Sequence, residues 1–172
     1  HSGFPIMRYL LPLILLSFST FVQADELLQS SLERAKDNRT ELELALKKVP
    51  QPQREGMEFL IRYMPHRDLT TLKADFLLQN VKLAYQAWET SPWHDQIPKD
   101  IFLNDILPYA SISETREDWR SNFLQRFGDL VKNAKNPGEA AAILNNNVFK
   151  ELNVKYSTQR KRPDQSPSES IE

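Results

Sequence analysis

Cysteine is absent from all 172 residues. That excludes a disulfide framework, a thiolate zinc site and a cysteine nucleophile within these residues. Glycine is scarce: four in the whole chain leave nothing to build a phosphate-cradling loop, so P-loop, kinase and dinucleotide-binding readings have no support. An excess of one charge sign is also missing, because 22 basic residues stand against 23 acidic ones for a formal net charge of -1. No global field therefore draws the chain to nucleic acid or to an acidic membrane. No internal repeat recurs at a fixed period. Long apolar runs are missing too, apart from one near the N-terminus, Tyr9 to Phe21.

What is present suits one core-forming globular domain, with 40% hydrophobic and 26% charged residues. The N-terminal run reads as an export signal covering residues 7–24. Met7-Arg8 supplies a start with a positive charge, and Val22-Gln23-Ala24 places small side chains where signal peptidase reads them, so cleavage is predicted after Ala24. The run is interrupted by Pro12, Ser17, Ser19 and Thr20 and falls short of the roughly 20 residues of a spanning helix, which disfavours a retained anchor. No cysteine stands at the cleavage site to take a lipid. Residues 1–6 fit neither signal nor domain and read as upstream translation or an expression remnant. The mature protein is expected to be periplasmic or extracellular.

From Asp25 the apolar spacing is helical, and the fold class predicted is all-α: an irregular bundle of about five to six helices over residues 25–153. Asp25 can cap a first helix in which Leu28, Leu32, Ala35, Leu42, Leu46 and Val49 share a face, ended by Pro50 and Pro52. Met57, Leu60, Ile61 and Met64 suggest a second, stopped by Pro65. Leu72, Phe76, Leu77, Val81, Ala84, Tyr85 and Trp88 suggest a third, capped at Asp68 and terminated by Ser91-Pro92. Pro98 to Leu107 reads as a short helix whose Ile101, Phe102, Ile106 and Leu107 dock on the larger ones. After Ser113, an aromatic stripe of Trp119, Phe123 and Phe127, with Leu130 and Val131, should face the core. Asn136-Pro137-Gly138-Glu139 combines a cap, a first-turn proline and a glutamate at the capping-box position, and Asn153 suits a left-handed stop. Beyond it, residues 154–172 read as a lead-in or linker. Val154-Lys155-Tyr156 forms a short extended segment, and residues 157–172 a disordered tail with nothing to bury.

No residue is assigned a catalytic, cofactor-binding or metal-binding role. His66 near Asp68 and His94 beside Asp95 lack the helical spacing of a metal motif and read as turn histidines next to capping aspartates. Asp100, Asp105, Glu114, Glu117 and Asp118 sit where helix ends favour acids, and no glycosidase pair can be argued from them. Trp88 and Trp119 fall on apolar stripes and read as core, whereas Trp93 lies in a loop, where it either covers the core's end or lines a groove. Arg160-Lys161-Arg162 reads as a solvated loop rather than an anion or nucleic-acid site.

Several stretches carry a family resemblance: Asn104-Asp105-Ile106-Leu107-Pro108-Tyr109, Asp118-Trp119-Arg120, Asn136-Pro137-Gly138-Glu139-Ala140-Ala141, Val154-Lys155-Tyr156-Ser157-Thr158, Asp164-Gln165-Ser166-Pro167 and Glu169-Ser170-Ile171-Glu172. Together they resemble the region that precedes the catalytic core in bacterial transglutaminase-like proteins, and the likeness extends more weakly back through Phe76 to Trp93. The resemblance implies a helical N-terminal portion in front of a papain-like core. In that core a Cys, a His and an Asp would perform acyl transfer or amide hydrolysis on a protein or peptide, the cysteine following shortly after Glu172. None of that triad maps onto a position here, so the chain itself is expected to be inactive, its partner being that core in cis. No cofactor is implied. The other reading is a complete, exported, all-helical binding protein that holds a partner in its exposed apolar grooves.

Overall fold

The structure is a computed structural model describing residues 23–111, 113–153 and 168–169. It is all-α, with eight helices and no strand among the described residues. Helix α1 covers residues 23–34, and α2 (Arg39–Lys48), α3 (Arg54–Tyr63), α4 (His66–Thr71) and α5 (Ala74–Thr90) follow. Next, α6 starts as an α-turn over Lys99–Ile101 and widens to a π-helix over Phe102–Ile106, and α7 (Trp119–Val131) and α8 (Pro137–Leu152) close the set.

Two expected helices are broken, which is why eight replace about six. The first break falls at 35–38, where Lys36 takes a left-handed φ of 53° and Lys36–Asn38 form a 3₁₀ turn. A non-glycine residue in that region is held there by its surroundings. The buried Asn38 supplies the hold, since its Nδ2 donates to the carbonyls of Leu69 and Leu72, each at 2.9 Å, at the C-terminal end of α4. The second break falls at Leu72-Lys73, where Glu41 of α2 accepts the N–H of Ala74 at 2.9 Å and so caps α5 from outside. That N–H, with Lys73 beside it, holds the Glu41 carboxyl below its ordinary value. Asp68 is therefore not a cap: it lies inside α4 and is buried. Asp25 is not a cap either, because residues 23 and 24 are already helical, and the carbonyl of Ala24 accepts a bond from Nε of Arg62 at 3.0 Å.

The main core joins α1 to α6. Leu28, Leu32, Ala35, Leu42, Leu46, Val49, Met57, Leu60, Ile61 and Met64 are all buried in it, as their spacing predicts. Helices α3 and α5 approach closely at Gly56, where a Cβ would stand 2.8 Å from Cε2 of Tyr85 and 3.2 Å from Cδ2 of Leu107. In α6 the π-turn bonds Leu107 N–H to the Phe102 carbonyl at 2.9 Å, bringing Phe102 and Leu107 inward together. Ile101, in the α-turn that precedes this widening, is exposed, contrary to the expectation that it docks.

Helices α7 and α8 form a hairpin attached to this body through α5 and a small satellite cluster. At its centre is Trp93, buried against Ala134 and Ala140 with Ile97, Val131 and Ile143 around them, so its indole closes a core rather than lining a surface loop. The start of α8 is as expected: Asn136 Oδ1 accepts the Glu139 N–H at 2.8 Å, Glu139 Oε2 accepts the Lys135 N–H at 2.8 Å, and Asn153 ends the helix at φ 52°. The aromatic stripe differs from expectation. Phe123 stands 5.4 to 5.5 Å from Trp119 and Phe127, ring centre to ring centre, but only Phe127 is buried. The extended segment 154–156, Arg160, Lys161, Arg162 and most of the signal lie outside the described residues. Of the expected tail, Ser168 and Glu169 are described as a turn, and the Ser168 N–H donates to Glu117 at 2.8 Å.

Candidate functional site

An apolar cleft of about 210 Å³ lies between the end of α3 and the segment that follows α6. Phe59, Tyr63 and Pro65 form one wall and Pro108 and Ala110 the other, with Tyr63 exposed at the rim. Its floor is polar. Arg116 Nη2 donates to Asp68 Oδ2 at 2.8 Å and Nε to Oδ1 at 3.0 Å, while the Tyr109 hydroxyl donates to Oδ2 at 2.8 Å. The side chains of Asp68 and Arg116 are 1% and 9% exposed, so this is a desolvated ion pair, and its value depends on every lone pair and N–H being used. Arg116 also donates to the carbonyls of Ser111 and Glu114. Burial, followed by the bond to Asp68, pushes the Tyr109 phenol far above its ordinary range, so it stays protonated as a donor. With carboxylate, guanidinium and phenol engaged in one another, this floor ties Tyr109 and Arg116 to α4, and these three groups present no free nucleophile or base.

A second latch ties α7 to the end of α6. Arg120 donates to Asn80 Oδ1 at 2.6 Å, to the Pro108 carbonyl at 2.7 Å and to the Leu107 and Ile106 carbonyls, which are orphan acceptors of a helix end. Its guanidinium lies 4.5 Å from the Trp119 ring centre, and the Trp119 indole donates to the Tyr109 carbonyl at 2.7 Å. Burial lowers the Arg120 pKa to about 10. Two of the stretches that carry the resemblance, 104–109 and 118–120, are thus in direct contact.

Beyond this latch lies an apolar face that nothing among the described residues covers. Leu83 and Ala87 of α5 and Trp119, Phe123 and Leu124 of α7 border a hollow of about 130 Å³. Further along the hairpin Leu144, Val148 and Leu152 are only half-buried, and Phe149 is 46% exposed.

The residues weighed for chemistry do not converge on one site among the described residues. His66 is exposed at the start of α4 while Asp68 turns inward, and the exposed His94 pairs with Asp95 at 3.0 Å. Glu114 accepts the Ser111 N–H, Glu117 the Ser168 N–H, and Asp118 bonds Ser121 and Gln79. Among the described residues no group of three His, Asp or Glu could hold a metal ion. No helix among them is long and apolar enough to cross a membrane. Sequence reasoning overlooked Arg116 altogether, because its partner is 48 residues away and it lies in an irregular connector with no period to mark it. No protein-family model matches this chain, and no curated protein or solved structure matches it significantly.

Proposed function

We propose that this chain is the noncatalytic helical portion of an exported transglutaminase-like protein, and that its α7–α8 hairpin packs against a catalytic core in cis. The observation that carries this reading is the uncovered apolar face. On this hairpin Leu124 and Phe149 stay 37% and 46% exposed among the described residues, large apolar side chains of the kind that gather at an interaction site. Two further features support it. The hairpin begins at the Arg120 and Trp119 latch and carries the Asn136 N-cap, so the described stretches 104–109, 118–120 and 136–141 of the resemblance lie on the latch and the hairpin it holds. That latch is braced by buried polar contacts, which suits a rigid support for a reactive site rather than the site itself. With no cysteine in the sequence, the nucleophile of such an enzyme has to come from outside these residues.

Reading the coding frame past Glu172 tests the proposal. A continuing frame with a cysteine soon after, and a histidine and an aspartate further on, is the expected result. A stop codon at that point would overturn it. It would leave the second reading, an exported binding protein, whose specific support is the enclosed cleft between Tyr63 and Pro108.

A further inference from the structure

On a separate face, formed by α1, α2 and the start of α3, a groove of about 370 Å³ is lined by Gln29, Leu32, Arg39, Glu43, Leu46, Lys47 and Arg54. Its three cations outnumber the two carboxylates they meet, Glu43 in the lining and Glu58 paired with Arg54, in a chain whose net charge is -1. We propose that the groove binds a linear oligophosphate.

The placement of the cations is the first argument. Arg39 is the first residue of α2 and Arg54 the first of α3, the helix positions where the macrodipole disfavours positive charge. Each is paired with a glutamate four residues later, Arg39 with Glu43 at 2.7 Å and Arg54 with Glu58 at 2.9 Å. A cation placed before its acid is the less favourable order for a helical pair. Helix pairing therefore accounts poorly for Arg39, a local cost that points to a ligand, whereas Arg54 also ties α3 to the end of α2 through the Leu46 carbonyl.

Donor capacity is the second. Lys47 has no hydrogen-bond or ion-pair partner among the described residues. Arg54 commits Nε to Glu58 and Nη1 to the Leu46 carbonyl at 3.0 Å, leaving further N–H groups of its planar fork. The Arg39–Glu43 pair is nearly half exposed on both sides, and pairs of that kind are weak enough for a phosphate to displace the carboxylate.

Length is the third argument. Arg39 and Lys47 are eight residues apart on α2, about 12 Å at 1.5 Å per residue, with Arg54 flanking the Lys47 end. A chain of three phosphates can engage both ends at once and carries more negative charge than a single phosphate.

Calorimetric titration of the protein with inorganic tripolyphosphate and with orthophosphate tests the proposal. The expected result is one saturable tripolyphosphate site at least about tenfold tighter than orthophosphate binding, weakened about threefold or more by Lys47→Gln and again by Arg39→Gln. Lys82→Gln, at an exposed lysine on α5 outside the groove, should change it less than about twofold. Lys47→Gln decides if Arg39→Gln disturbs folding, and an unchanged melting curve confirms that its effect is on binding. Absence of saturable binding, equal affinity for the two anions, or equal losses in Lys47→Gln and Lys82→Gln would each overturn the site.

Discussion

Gly56 shows how much one missing side chain decides. Its neighbours are fully or almost fully buried: Tyr85 is held edge-on to Phe102 at 4.8 Å between ring centres, so neither that ring nor Leu107 has room to retreat. Gly56→Ala should destabilise the fold by about 1 to 3 kcal/mol, although alanine is the better helix former, because overpacking outweighs the propensity gain. Urea denaturation of the variant checks this, and a raised midpoint would mean that α3 and α5 tolerate a wider separation. Asp68 illustrates what single positions conceal. An aspartate ahead of an apolar stripe has the signature of an N-cap, and only the fold reveals that Arg116 and Tyr109 converge on it from a distant connector. Such a buried triad leaves no local pattern, since its members are joined by tertiary geometry and not by spacing.

At the scale of elements, apolar periodicity located the helices and misjudged their continuity. The stripe from Leu28 to Val49 is buried throughout, yet a break at Lys36–Asn38 interrupts it. A stripe records which face is inward and says nothing of a turn that keeps that face inward. Caps built from neighbouring residues were legible, as at Asn136 and Asn153, whereas the cap of α5 comes from Glu41 on another helix. The aromatic stripe of α7 misled for a related reason. Periodicity marks a face as apolar, but whether that face is covered depends on what else is present. The stability ranking follows burial. Trp93→Ala, which empties the centre of the satellite cluster, should cost about 3 kcal/mol, and Phe123→Ala, at a half-buried position, clearly less. Thermal denaturation of both variants would expose a wrong assignment if Phe123→Ala proved the more damaging.

For the whole molecule, the division between a six-helix body and an attached hairpin is the main structural fact bearing on function. The body closes its own core, with Tyr85, Phe102 and Leu107 fully or almost fully buried, and carries the basic groove on the side of α2. The hairpin is held by Arg120, Trp119 and Trp93 and retains an apolar side that nothing among the described residues covers. Helical class was readable from the sequence because it follows from short-range spacing. The candidate surfaces were not, because exposure is a property of the assembled molecule. Hydrogen exchange along α7 and α8, in this chain and in the longer polypeptide encoded by a continuing frame, tests the docking of the hairpin most directly. The account predicts that amides around Leu124 and Phe149 exchange faster than those of α2, α3 and α5 in the chain alone and become strongly protected in the longer polypeptide. Equal protection of the hairpin in both would contradict it.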